Sequence, residues 1–169
     1  MNTYEDAAVT TTFQRPPHEF VDKSGREITI RTPADRDALA AMYVEFDSSD
    51  RAQGLPPVGE DRIRDWLDVL DAGIEVVAVH GDNTVGHATL LDCGDGTHEL
   101  TIFVHADYQL SGIGSQLIRC LLGAGQRGGV DHVWLSVERS NHVAMNLYRK
   151  VGFETTSGSG LEHEMELDL

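Results

Sequence analysis

One passage limits the fold of this chain more than any other: a strand runs into a glycine-rich turn, and the turn opens a helix. Residues 98–104 read as a strand, and the chain continues Val104-His105-Ala106-Asp107-Tyr108-Gln109-Leu110-Ser111-Gly112-Ile113-Gly114-Ser115. Ile113, Leu117, Ile118, Leu121 and Leu122 then fall on one helical stripe that ends near Gly125. The first turn of a helix has unsatisfied N–H groups at the positive end of its dipole. Glycines there let the main chain approach a ligand closely. The passage is therefore shaped to hold a pyrophosphate, and a helix that merely begins at glycines is the structural alternative. It is not the G-x-G-x-x-G dinucleotide fingerprint, and no Gly-Lys-Ser/Thr marks a P-loop.

The rest of the chain surrounds this unit with more strands and helices. Residues 27–31 alternate polar and apolar, as a strand does. Thr32, as a cap, and Pro33 open a helix through Leu39, Met42, Tyr43 and Phe46. Residues 53–59 form a loop, and Ile63, Trp66, Leu67 and Leu70 lie on one side of a second helix. Residues 74–80 and 84–91 make a hairpin about Gly81-Asp82-Asn83. After the third helix come a strand at 131–137, a helix at 141–150 ended by Gly152, and strands at 153–155 and 161–167. The order β-α-α-β-β-β-α-β-α-β-β predicts a mixed α/β sheet covered by helices on both faces. Residues 1–24, Thr-rich with Pro16-Pro17, read as a tail or an added edge segment before a single domain at 25–169.

Charge narrows the partners. The 169 residues carry 28 Asp and Glu against 13 Lys and Arg, a formal net charge of -15, and only Lys23 and Lys150 are lysines. An acidic, lysine-poor surface resembles that of halophile proteins, in which molar salt screens self-repulsion; attraction of a cationic substrate is the functional alternative. Neither a nucleic acid nor an anionic membrane suits such a surface, and no apolar run approaches the roughly 20 residues of a membrane span. Residues 1–12 lack a secretory pattern, so a cytoplasmic protein is expected. Cys93 and Cys120 form no metal-type pair and are expected as buried thiols, and the scattered histidines predict no metal site.

A second motif settles the family resemblance. In Asn141-His142-Val143-Ala144-Met145-Asn146-Leu147-Tyr148-Arg149-Lys150-Val151-Gly152-Phe153, Asn141 can cap a helix and Tyr148 lies two turns further on. With Gln109-x-x-Gly112-x-Gly114 one strand earlier, the pair resembles the two signature blocks of the GNAT N-acetyltransferase superfamily, its protein-lysine acetyltransferases among others. The resemblance spans residues 27–167. It implies the GNAT fold: a central mixed sheet of about six to seven strands, about four flanking helices, and parallel fourth and fifth strands that splay apart. It implies acetyl-CoA as cosubstrate, with the pantetheine arm along Ile102, Phe103 and Val104. The pyrophosphate would lie on Leu110, Ser111, Gly112, Ile113, Gly114 and Ser115, with Gln109 where the family has Arg or Gln and Asn141 fixing the arm or a water.

The implied reaction is attack of a primary amine on the thioester in a ternary complex. A lysine-type amine is about one part in 2,500 free base at pH 7, so a base is required. Glu99 matches the family's glutamate five residues before the strand-ending Val104. His98 and Glu138 stay open as bases, because a strand bulge would exchange the roles of His98 and Glu99. Tyr148 matches the family's general acid toward the departing thiolate, and the Val104 N–H can polarise the carbonyl. The acceptor stays open: the placement of Glu99 points to a protein lysine or N-terminus, with a small amine as the runner-up, and a non-catalytic acyl-CoA-binding module is the alternative class. Homodimers are common in the family, and a homodimer is an open expectation here.

Overall fold

The computed structural model describes residues 11–169. Its strands are β1 His18–Val21, β2 Glu27–Arg31, β3 Ile74–His80, β4 Asn83–Asp92, β5 Thr97–Val104, β6 His132–Glu138, β7 Glu154–Ser159 and β8 Glu162–Asp168. They form one sheet in the order β1-β2-β3-β4-β5-β6-β8-β7. Its helices are α1 Arg36–Val44, α2 Glu60–Leu70, α3 Ile113–Arg127 and α4 His142–Val151, with a 3-10 turn at Ala106–Tyr108. The mixed sheet, four helices and single parallel pair match the expected GNAT fold, with one strand more than the upper estimate. That strand is β1, four residues at the sheet edge and only half-buried at alternate positions, too short for a periodic signal. Residues 1–10 of the segment expected as a tail lie outside the described residues.

Each strand alternates between two cores because neighbouring side chains leave a strand on opposite faces. On one face Ile30, Val76, Ala78, Ala88, Leu90, Leu100, Val133, Leu135 and Met165 pack against α3 and α4. On the other, Val77 and Val79 pack with Leu39, Tyr43, Phe46, Ile63 and Leu67 of α1, α2 and the residues after α1. α1 starts later than Thr32 suggests: Asp35 is its cap and accepts from the N–H groups of Asp37 and Ala38 at 3.0 and 3.1 Å. An ionised carboxylate outranks a threonine hydroxyl here because it also complements the dipole. The cysteines differ from expectation. Cys120 is buried in α3, where burial pushes its thiol up to about 11, but Cys93 is exposed on the turn after β4.

Residues 11–14 lie along the back of α3. Phe13 is buried, its N–H donates to Gln126 Oε1 (3.1 Å), and Gln126 Nε2 donates to the Thr11 carbonyl (2.7 Å). Gly123 makes this approach possible, since a Cβ there would lie 2.0 Å from the Gln14 carbonyl oxygen. Gly123→Ala should therefore lower Tm by about 3–10 °C, the overpacking cost of ~1–3 kcal/mol spread over a domain of this size. An unchanged Tm in calorimetry would contradict the packing.

Candidate functional site

The site begins where the sheet comes apart. β5 and β6 pair in parallel only at Thr97↔His132, His98↔Val133 and Glu99↔Trp134. Beyond Glu99, β5 stays paired with β4 as far as Val104, and β6 with β8 as far as Glu138. The two strands thus separate, and β5 keeps an open edge. The N–H of His105 donates to the Val85 carbonyl (2.9 Å). Alternation along an antiparallel ladder then turns the main-chain groups of Phe103, Thr101 and Glu99 toward β4. Those of Leu100, Ile102 and Val104 face the gap. Of the three residues expected along the pantetheine arm, Ile102 and Val104 turn their main chain to the gap. Phe103 instead packs its ring on the α1–α2 side, edge-on to Tyr43 at 5.7 Å.

The mouth of α3 adjoins the end of this edge. Leu110 takes the left-handed φ of 58° and is 78% exposed; Gly112, the cap residue, takes 93°. Two left-handed residues around Ser111 make a strained turn of the kind that aims main-chain donors at an anion. No side chain caps α3, so the first-turn amides of Ile113, Gly114 and Ser115 remain available. Ser111 is buried and its Oγ donates to the Tyr108 carbonyl (2.6 Å), so it shapes the turn. Gln109 Nε2 donates to the Val104 carbonyl (3.0 Å), tying the loop back to β5. Gly114 has a second reason to be glycine: a Cβ there would meet Leu147 of α4 at 3.2 Å.

The proposed acid and base lie on opposite faces of the sheet. Tyr148 is buried in the α3–α4 core, edge-on to Phe153 at 5.9 Å, and burial pushes its phenol up to about 12. Asn141 caps α4, its Oδ1 accepting from the Ala144 N–H (3.1 Å). Glu99 is half-buried on the α1–α2 side, beside its ladder partners Leu91 and Trp134, at the point where β5 and β6 part. His98 points to the opposite face, and the β4–β5 register has no bulge to exchange the two. Glu138 shares the face of Glu99 but is exposed at the end of β6.

One buried polar chain went unread in the sequence. Tyr43 Oη lies 2.8 Å from His87 Nδ1, and His87 Nε2 lies 2.9 Å from Glu75 Oε2. In a neutral imidazole whose Nε2 donates to the carboxylate, Nδ1 accepts and the phenol donates; burial, with Glu75 nearby, pushes that phenol well above its ordinary value. The chain ties α1 to the sheet beside the aromatic wall of Phe46, Trp66 and Phe103. Its only trace in the sequence is one histidine in an otherwise small and apolar stretch of β4. Among the described residues no group of three or more His, Cys, Asp or Glu is arranged to hold a metal ion, and no helix is long and apolar enough to cross a membrane.

Burial holds the Glu99 carboxyl above the ordinary glutamate range. A raised folded-state pKa means that folding favours the protonated form, so the stability it contributes is present at low pH and is lost as pH rises through the folded value. Glu99→Gln should therefore raise Tm at pH 7, with the gain vanishing below about pH 4, where the carboxyl is protonated in both states. A lower Tm at pH 7 would show that the carboxylate is stabilised rather than desolvated.

The sequence model of the Acetyltransferase (GNAT) family matches residues 38–153. Among curated proteins, 58 residues are 40% identical to the [Ribosomal protein bS18]-alanine N-acetyltransferase of Escherichia coli (strain K12), covering 32% of this chain and 39% of that protein. A stretch of 78 residues is 36% identical to the protein of the same name from Haemophilus ducreyi, covering 43% and 50%. The matches thus span half or less of the length of these relatives. The fold resembles the GNAT domain of S. lividans PAT (TM-score 0.76, 15% identity, 90% of this chain and 96% of that one). It also resembles yncA of Salmonella typhimurium, a putative acetyltransferase solved with acetyl-CoA (0.70, 23%, 83% and 93%). A third likeness is the ribosomal-protein-alanine N-acetyltransferase of Brucella melitensis (0.69, 21%, 83% and 99%).

Proposed function

The chain belongs to the Acetyltransferase (GNAT) family, and on that premise we propose that it moves the acetyl group of acetyl-CoA to a primary amine of a protein, an N-terminal α-amine or a lysine, within a ternary complex. The observation that carries this reading is the unpaired edge of β5 running from Glu99 to the strained mouth of α3. An extended amide-bearing arm fits such an edge, and a pyrophosphate fits the donors at its end. Acetyl-CoA supplies the activated acetyl group; the chain's residues bind, orient and move protons.

Glu99 takes the proton of the incoming ammonium on the α1–α2 side, and its raised pKa brings it closer to a base suited to neutral pH. The Val104 N–H, turned to the gap, polarises the thioester carbonyl. Tyr148 donates a hydrogen bond to the departing sulfur. Near 12 its phenol is about three orders of magnitude less acidic than a reference thiol, so it stabilises the thiolate as a donor and keeps its own proton.

The α1–α2 face beside Glu99 continues as Trp134 and Ser136 of β6 and Glu162 and Glu164 of β8, with Gln53 Nε2 reaching across to Glu162 Oε1 (2.9 Å). Ser136, Ser157, Glu162 and Glu164 line a depression there. A long acidic face suits a cationic, extended acceptor such as a peptide. The names of the relatives favour an N-terminal α-amine, and so does its chemistry. About one α-amine in ten is free base at pH 7, far more than for lysine.

Two experiments test the reading in molar KCl, the condition that the acidic surface suits. Purified protein with acetyl-CoA should acetylate a peptide beginning with alanine faster than the same peptide N-blocked with an internal lysine, and both faster than a polyamine. Turnover of the polyamine alone, or of none of them, would overturn the acceptor assignment. Tyr148→Phe should lower kcat about tenfold to a hundredfold while the Kd for CoA moves less than about threefold; an unaltered kcat removes Tyr148 from the chemistry.

A further inference from the structure

The turn between β1 and β2 docks on the mouth of α3. Asp22 is buried and organises the turn: its Oδ1 accepts from the N–H groups of Ser24 and Arg26, both at 2.9 Å, and its Oδ2 pairs with the Arg26 guanidinium at 2.7 Å. Arg26 in turn stacks over the Tyr108 ring at 4.1 Å and donates to the Asp107 carbonyl (3.1 Å). Tyr108 is held from the other side by His80 Nδ1, 2.7 Å from its hydroxyl. The Lys23 N–H donates to the Ser111 carbonyl (3.0 Å). The hairpin turn and the glycine-rich turn are thus joined by main-chain, cation–π and charge-assisted contacts.

This docking brings one side chain over the cap of α3. At Gly112, the one heavy atom within 4 Å of an added Cβ, its chain neighbours apart, is Cε of Lys23, at 3.9 Å. Lys23 is exposed and makes no salt bridge among the described residues, although the chain carries 28 carboxylates. The carboxylate beside it, Asp22, is neutralised by Arg26. The loop itself offers no cation: residues 109–115 hold no Lys or Arg, and Gln109 is turned back to β5. In a chain of net charge -15, one of only two lysines stands at the end of the cleft where an anion would lie.

We propose that Lys23, presented by the β1–β2 turn, binds a phosphate of the CoA moiety and supplies the positive charge that the glycine-rich turn lacks. The inference rests on the cofactor reading above and extends it to a segment of the chain outside the family match at residues 38–153. An ammonium is a compact point charge on a flexible stem, suited to a phosphate that also rests on backbone amides.

The test is calorimetric binding of CoA and of dephospho-CoA to the intact protein, in wild type and in Lys23→Ala, Lys23→Arg and Lys150→Ala. Lys23→Ala should weaken CoA binding about fivefold to twentyfold at 0.2 M KCl, the range of one partly exposed charge-assisted hydrogen bond. The loss should shrink at 2 M KCl, where charges are screened, and Lys23→Arg should recover most of it. Lys150→Ala, on the last turn of α4, should bind as wild type does. An equal loss for both ligands assigns Lys23 to the pyrophosphate; a loss confined to CoA assigns it to the 3′-phosphate. Native affinity of Lys23→Ala overturns the proposal. So does a loss that neither salt nor arginine alters, since that marks a damaged hairpin. Failure of the wild type to bind CoA at all would instead overturn the cofactor reading on which the proposal rests.

Discussion

The architecture turns on the interruption of a hydrogen-bond ladder. Parallel strands in a sheet interior normally stay paired, because an unpaired buried main-chain group costs free energy comparable to a lost hydrogen bond. Here β5 and β6 pair for three residues and then part, and each is held straight by its other neighbour. The gap is therefore not a loose end. It is kept open by continuous antiparallel ladders on both sides, and beyond the last β5–β6 rung it leaves the main-chain groups of Ile102 and Val104 without strand partners. The strained turn at Leu110 and Gly112 lies directly beyond, so the unpaired edge and the unpaired first turn of α3 form one continuous polar track.

The two hydrophobic cores have different tasks beside this track. The α3–α4 core fixes the helix mouth from behind: the sheet supports α3 on one side, Gly123 lets residues 11–14 lie on its back, and Gly114 lets α4 come close. The α1–α2 core carries the aromatic wall and the buried Tyr43–His87–Glu75 chain. A polar chain of this kind, with each member satisfied, fixes one arrangement of a helix on a sheet more strictly than apolar contact alone. Burial raises both Glu99 and Tyr148, but with different chemical effect. It makes a carboxylate a better base and a phenol a poorer acid.

Much of this was legible in the residues. The glycine spacing after Val104, and Asn141 with Tyr148 two turns on, carried the order of elements, the parallel pair and the fold. The role of the glycines divided only in three dimensions: the φ of Gly112 is a local property, whereas the constraint on Gly114 comes from Leu147, 33 positions away. The face occupied by Glu99 follows from strand alternation, but the absence of a bulge, which separates it from His98, does not. Residues 18–21 were expected within a tail or an added edge segment, and the second alternative holds at β1, but four residues half-buried only at alternate positions have no period that marks a strand. The meaning of Lys23 depends on Ser111 and Gly112, some 90 residues further on. The exposure of Cys93 escaped for a similar reason: a small apolar residue at a turn carries no sign of which way it points.

With Glu99 and Tyr148 in the roles proposed for them, their placement on opposite sides of the sheet has a kinetic meaning. Two reactants that reach one gap from opposite faces do not share an entrance. Neither has to wait for the other to arrive, and neither product blocks the exit of its companion. Geometry alone therefore imposes no compulsory order on the encounter; any order that exists must come from one occupant reshaping the groove that receives the other.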